Sequence, residues 1–105
     1  MAMYCFQWNE RLQISLPIME VEWEQYDDAE QSDIVERWEL IRGSIPDRVM
    51  EFEWIINMRQ DQLFEEDSFE ESCRINSEIA DYASRINDLH IWYRMNQELE
   101  SRRHS

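Results

Sequence analysis

Lysine is absent from this chain of 105 residues; all ten basic side chains are arginine. Glycine occurs once and proline twice, which excludes Gly-rich phosphate loops and argues against a chain of tight hairpin turns. No run of about eighteen apolar residues is present, so the sequence offers no membrane-spanning helix. Cysteine occurs only at positions 5 and 73. Residues 1–18 do not combine a basic leader with an apolar stretch, so the expectation is a cytoplasmic protein with two reduced thiols. Cys73 falls on a helical pattern and reads as a small buried hydrophobe rather than a nucleophile.

What is present is acid. The net charge is -14, with 43% hydrophobic and 32% charged residues, enough apolar material for a core. Such a charge repels phosphates and acidic lipid surfaces, so no direct nucleic-acid or membrane partner is expected. A basic protein is the partner class that it suits. The charge is also unevenly placed. Residues 1–71 hold nineteen acids and five arginines, whereas residues 72–105 hold five of each. Two segments have no arginine at all: 17–36, with eight acids, and 60–73, with Asp61, Glu65, Glu66, Asp67, Glu70 and Glu71.

From Asp27 onward the pattern is helical. Asp27 and Glu30 have capping-box spacing ahead of Ile34, Val35, Trp38 and Ile41, which predicts a helix over about 28–42. Gly43 stands where a helix end wants a left-handed residue, and Ser44 with Pro46 reads as a fresh N-terminus. A second helix, about 45–64, carries Ile45, Val49, Phe52, Ile56 and Leu63 on one seam, interrupted by Arg59. Ser68 and Glu71 make another capping box, and a third helix follows over about 69–102. Its seam, Ile75, Ile79, Tyr82, Ile86, Leu89 and Tyr93, steps by four and three without a miss. Arg102 and Arg103 suit its C-terminal dipole.

These lengths predict an all-α fold: a long antiparallel helical hairpin whose first arm breaks near Gly43–Pro46. Folding back at 65–68 sets Phe64 opposite Phe69, Ile45 near Leu89, Trp38 near Met95 and Ile34 near Leu99. A compact three-helix bundle is the alternative. The first 26 residues are less regular. Met-Glu-Val-Glu-Trp at 19–23 alternates like a strand, yet Met-Glu-Phe-Glu-Trp at 50–54 echoes it inside a helix, which tilts the first copy towards helix.

No catalytic signature appears, and neither His90 nor His104 has the Glu-x-x-His spacing of a carboxylate-bridged metal pair. The expectation is a protein without cofactor, metal site or catalytic residues. Trp54 and Trp92 lie beside the seams rather than on them, and such side chains mark a further packing surface. With the turn acids Glu65, Glu66, Asp67, Glu70 and Glu71 they form the candidate partner-binding set. The functional expectation is a small acidic interaction or regulatory protein that dimerises as a four-helix arrangement and has a surface for a basic partner. The alternative is an acidic inhibitor or DNA mimic that occupies a basic nucleic-acid enzyme or toxin.

Overall fold

A computed structural model describes residues 3–104 of the chain and, in the last helix, side chains as far as Met95. The chain begins with a β-hairpin, β1 (Tyr4–Asn9) and β2 (Ile14–Met19), continues through a 3-10 turn at Trp23–Gln25, and then runs into three helices. These are α1 (Asp28–Arg42), α2 (Ile45–Glu65) and α3 (Phe69–His104), each within two residues of the span read from the sequence. Helix accounts for 71% of the chain, so the fold is mainly α with a small two-stranded sheet.

The helical part is a hairpin. Among the described residues, α2 lies antiparallel along the N-terminal half of α3, and α1 extends the arm towards the other end, giving a body of 59 × 21 × 19 Å. That elongation excludes the compact three-helix bundle. Ile45, Val49 and Phe52 from α2 meet Leu89 from α3 in one buried cluster, with Tyr82 and Ile86 packed against it. The aromatic pair Phe52 and Tyr82 meets edge to face, at 5.4 Å between ring centres. Arg59, the interruption in the seam, reaches across to Glu78 at 2.7 Å, and these two atoms are shut away from water. Leu99, which the sequence register sets near Ile34, lies with Arg102 and Arg103 outside the described side chains.

The break in the first arm differs from the one expected. Gly43 is right-handed (φ -62, ψ -21), and so is Ser44 (φ -86, ψ -12). Gly43 N still donates to the Glu39 carbonyl at 3.0 Å, and the Ser44 hydroxyl donates back to the Ile41 carbonyl instead of capping α2. The arm therefore bends without reversing. Pro46 supplies the cause, because it has no N–H to continue the ladder.

The N-terminal segment holds a strand pair, and the pentapeptide 19–23 is neither strand nor α-helix as a whole: Met19 ends β2 and Trp23 opens the 3-10 turn, which corrects the tilt towards helix. The register runs from Tyr4 opposite Met19 to Asn9 opposite Ile14. Its turn needs no glycine: Gln13 takes the left-handed conformation (φ 56), while the Asn9 side-chain oxygen accepts from Leu12 N at 2.9 Å. Leu12 and Ile14 are buried beside Trp38, Ile45 and Leu89, so the hairpin covers the bend between α1 and α2. Burial of that kind contributes about 1.5–3 kcal/mol per aliphatic side chain. A second cluster, Trp23, Tyr26, Ile34 and Val35, fastens the 3-10 turn to α1. The Tyr26 hydroxyl donates to the Met3 carbonyl at 2.8 Å and accepts from Glu20 N at 2.9 Å, which ties this segment back to the start of the hairpin.

Candidate interaction surfaces

The two acidic segments have different fates. In 17–36 the carboxylates are largely engaged in structure. Glu20 accepts from Met3 N at 2.7 Å, and Asp27 and Glu30 form a complete capping box at the start of α1. Asp33 accepts from the Tyr4 hydroxyl at 2.7 Å and pairs with Arg37. That hydrogen bond to Asp33 is the first cause of a raised Tyr4 pKa, since ionising the phenol would remove the proton it donates; repulsion between the two anions adds to it.

The second segment crowns the hairpin tip, where α2 turns into α3. Two of its carboxylates have local work. Glu66 accepts from Ser68 N at 3.0 Å, the position that the expected capping box gave to Glu71. Only half of that box forms: Glu71 N donates to the Ser68 hydroxyl, while the Glu71 carboxylate turns to Arg74. Hydrogen bonding from Arg74 holds the Glu71 carboxyl below its ordinary pKa and raises that of Arg74 in return. Glu65, Asp67 and Glu70 are exposed and have no hydrogen-bond or ion-pair partner among the described residues. They form the uncompensated part of the tip.

Between them stand two aromatic rings that the sequence register paired with each other. Phe64 is 91% exposed and Phe69 81% exposed, so neither closes the turn. The reason is angular: each sits about 100–120° round its helix from the seam, outside the strip that faces the other arm. That offset was present in the sequence.

The tryptophans divide as well. Trp23 and Trp38 are buried. Trp92 is half-buried, packed edge to face on Trp38 at 5.8 Å and bordered by Trp8, Leu16 and Pro17 of the hairpin. It is covered within the chain. Trp54 is 63% exposed on the outward face of α2, beside Met50 and above Asp47 and Glu51. Of the two tryptophans singled out from the sequence, only Trp54 faces outward. Ala80 and Ala83 are exposed on α3 and do not contribute to the seam.

Cys73 is also exposed, as is Cys5, and both are free thiols; the expected burial of Cys73 is corrected. His90 is exposed, and the side chain of His104 lies outside the described residues. Among the described residues no three His, Cys, Asp or Glu side chains converge as metal ligands, and no helix is long and apolar enough to cross a membrane. Comparison with protein-family models, with curated proteins and with solved structures finds no significant match to this chain.

Proposed function

We propose that the chain is a non-catalytic interaction protein whose hairpin tip engages a basic partner. The observation that supports this reading is the tip itself: Phe64 and Phe69 stand in solvent between Glu65, Asp67 and Glu70, which have no partner among the described residues. Exposed aromatic rings are suited to anchor an interface, and surrounding charge of one sign selects the partner and speeds encounter. Self-association into a four-helix arrangement is the other use of exposed apolar groups. It has less support, because Trp92 is occupied within the chain and a net charge of -14 opposes pairing of like bodies.

The test is a photo-reactive amino acid placed at Phe64, with the same group at Ala83 as control, in cells that make the protein naturally. The expected result is an adduct with an arginine- or lysine-rich protein from position 64 only, lost on charge reversal of Glu65, Asp67 and Glu70. Adducts that ignore charge reversal, or none from position 64, would refute the proposal.

A second reading, an acidic inhibitor that mimics DNA, draws on the rod-like body with its 21 × 19 Å cross-section. Charge density weighs against it. Fourteen net charges over 59 Å is one per ~4 Å, against about one per 1.7 Å of duplex axis. Displacement of DNA from a basic nucleic-acid enzyme by this chain, steeply weakened by salt, would favour the mimic.

A further inference from the structure

We propose that the outward face of α2 is a docking strip for a basic amphipathic helix of a partner protein. The strip is Asp47, Met50, Trp54, Met58, Asp61 and Glu65, which follow one another at steps of three and four and so lie in one line along the helix. This line points away from the seam of Ile45, Val49, Phe52 and Leu63. Its apolar centre is open: Met50 is 65%, Trp54 63% and Met58 39% exposed. Its ends are acidic, and Asp47, Asp61 and Glu65 have no hydrogen-bond or ion-pair partner among the described residues. Beside the strip, Glu51 is already paired with Arg48. The other arginine of α2, Arg59, is turned to Glu78, so no cation of α2 compensates the strip.

Charge decides the occupant. From Asp47 to Asp61 the strip is symmetric about Trp54. A second copy laid antiparallel would set Trp54 on Trp54 and Met50 on Met58, but also Asp47 on Asp61 at both ends. That arrangement juxtaposes carboxylates between two bodies of charge -14 each. Area points the same way. The exposed parts of the three central side chains amount to roughly 300–400 Å², taking about 200–250 Å² for each whole side chain. A stable interface needs about 800 Å² from each partner. Apolar contact alone is therefore too small for a dimer, and it requires opposite charge to supplement it. A helix with apolar residues at its centre and arginine or lysine at each end meets both conditions. The cations should stand about fourteen residues apart, ~21 Å, to match Asp47 and Asp61.

This inference rests on the preceding reading only in taking the chain to be an interaction protein; the strip meets the Phe64–Phe69 tip at Glu65 alone, and its apolar centre is a different surface. The probe is a synthetic helical peptide of about 18 residues with a leucine face and arginines about fourteen residues apart. It is titrated into the full-length chain and followed by calorimetry and by the Trp54 indole N–H resonance. Saturable binding that moves that resonance is expected. Trp54→Ser should weaken it at least about tenfold, as loss of a central aromatic anchor does. Joint Asp47→Arg and Asp61→Arg should also weaken it about tenfold, and the doubly reversed chain should instead bind the same peptide with glutamates in place of its arginines. That exchange cannot arise from misfolding. Reversal of Asp67 and Glu70 at the tip should leave peptide affinity within about twofold, so failure of the tip and of the strip are separable. Three results would overturn the proposal. A scrambled peptide of equal charge could bind as well, or the shifts could be confined to Phe64–Phe69. Alternatively, the chain alone could be a dimer that Trp54→Ser converts to monomer, making a second copy the occupant.

Discussion

Replacing Trp38 by phenylalanine tests whether the centre of this fold is held by ring packing or by the polar end of the indole. Trp38 is 1% exposed, where α1, the hairpin and α3 meet, and packs edge to face on Trp92. Its Nε1–H is buried with no acceptor among the described residues. An unsatisfied buried donor costs about 1–3 kcal/mol, and the native state bears that cost. Trp38→Ala removes nearly all of the buried ring area and leaves a cavity, so it should destabilise by about 3–5 kcal/mol. Trp38→Phe removes part of the ring and the orphan donor together. The two changes oppose each other, and the net effect should be within about 1 kcal/mol of zero. The assay is urea unfolding followed by circular dichroism at the helix band, which does not depend on the tryptophan being replaced. Alanine should shift the thermal midpoint by about 15 °C or more, at ~4–8 °C per kcal/mol for a chain of this size, and phenylalanine by only a few degrees. A cycle with Trp92→Phe should return a coupling of about 0.5–1.5 kcal/mol for the ring pair. If Trp38→Phe costs as much as Trp38→Ala, the donor is satisfied and the reasoning fails.

Gly43→Ala should stabilise the chain by about 0.5–1 kcal/mol, because φ is -62 and an added Cβ would meet only carbonyl oxygens at 3.5 and 3.6 Å; a loss of stability in thermal unfolding would restore a left-handed requirement there. Arg59→Leu leaves Glu78 without its cross-helix partner and should cost about 1–2 kcal/mol in urea unfolding. That is less than for a fully buried pair, since these side chains are about a third exposed. Arg59→Leu with Glu78→Leu should recover most of the loss, and no recovery would show that the pair is needed for register. Glu71 titrates below its ordinary value because of Arg74, so its contribution is complete above the unfolded pKa and disappears as pH falls through the folded one. Carbon-detected titration should show this depression abolished in Arg74→Gln. Tyr4 behaves in the opposite sense. Its pKa is raised by Asp33, so its contribution holds below 10.0 and is lost as pH rises through the folded value, and ultraviolet titration should lose one late-ionising phenol in Tyr4→Phe.

The helices were legible because their seams repeat at three and four, and Asp27 with Glu30 announces the start of α1 in both chemistry and spacing. The β-hairpin was not, since its turn uses Asn9 and a left-handed Gln13 where sequence reasoning looks for glycine. The pentapeptide echo shows why local pattern was insufficient. Met-Glu-Phe-Glu-Trp lies inside α2, with Phe52 locked into the seam. Met-Glu-Val-Glu-Trp has no helix to propagate from, and Met19 pairs with Tyr4 instead. Of the surfaces, Trp54 could be read from its angle to the seam, as could Phe64 and Phe69. The role of Arg59 could not, because its partner Glu78 becomes a neighbour only when the two arms are in register.

The exclusive use of arginine acquires a physical sense in this arrangement. The β-hairpin contributes few side chains to the core, and guanidinium groups fasten it to the helices. Arg11 reaches Asp88 at 2.5 Å and Ser84 at 2.8 Å on α3, Arg85 returns a bond to the Arg11 carbonyl, and Arg48 bonds Gln13. Arg37 lies over the Phe6 ring at 4.9 Å. Between the arms, Arg42 stacks on Tyr93 at 4.1 Å while its Nε donates to the Tyr93 carbonyl, and within α3 Arg85 lies over Tyr82 while pairing with Asp81. A planar group with five donors can stack and bond at once; an ammonium cannot. Arg11, Arg37, Arg42, Arg48, Arg59, Arg74 and Arg85 are all paired with carboxylates of this chain. With seven of the ten arginines paired within the chain, the remaining carboxylates set the character of the surface. The acidity that any partner meets is the excess of carboxylates over arginines, and it stands without a paired cation at Glu65, Asp67 and Glu70 of the tip and at Asp47 and Asp61 on the outer line of α2.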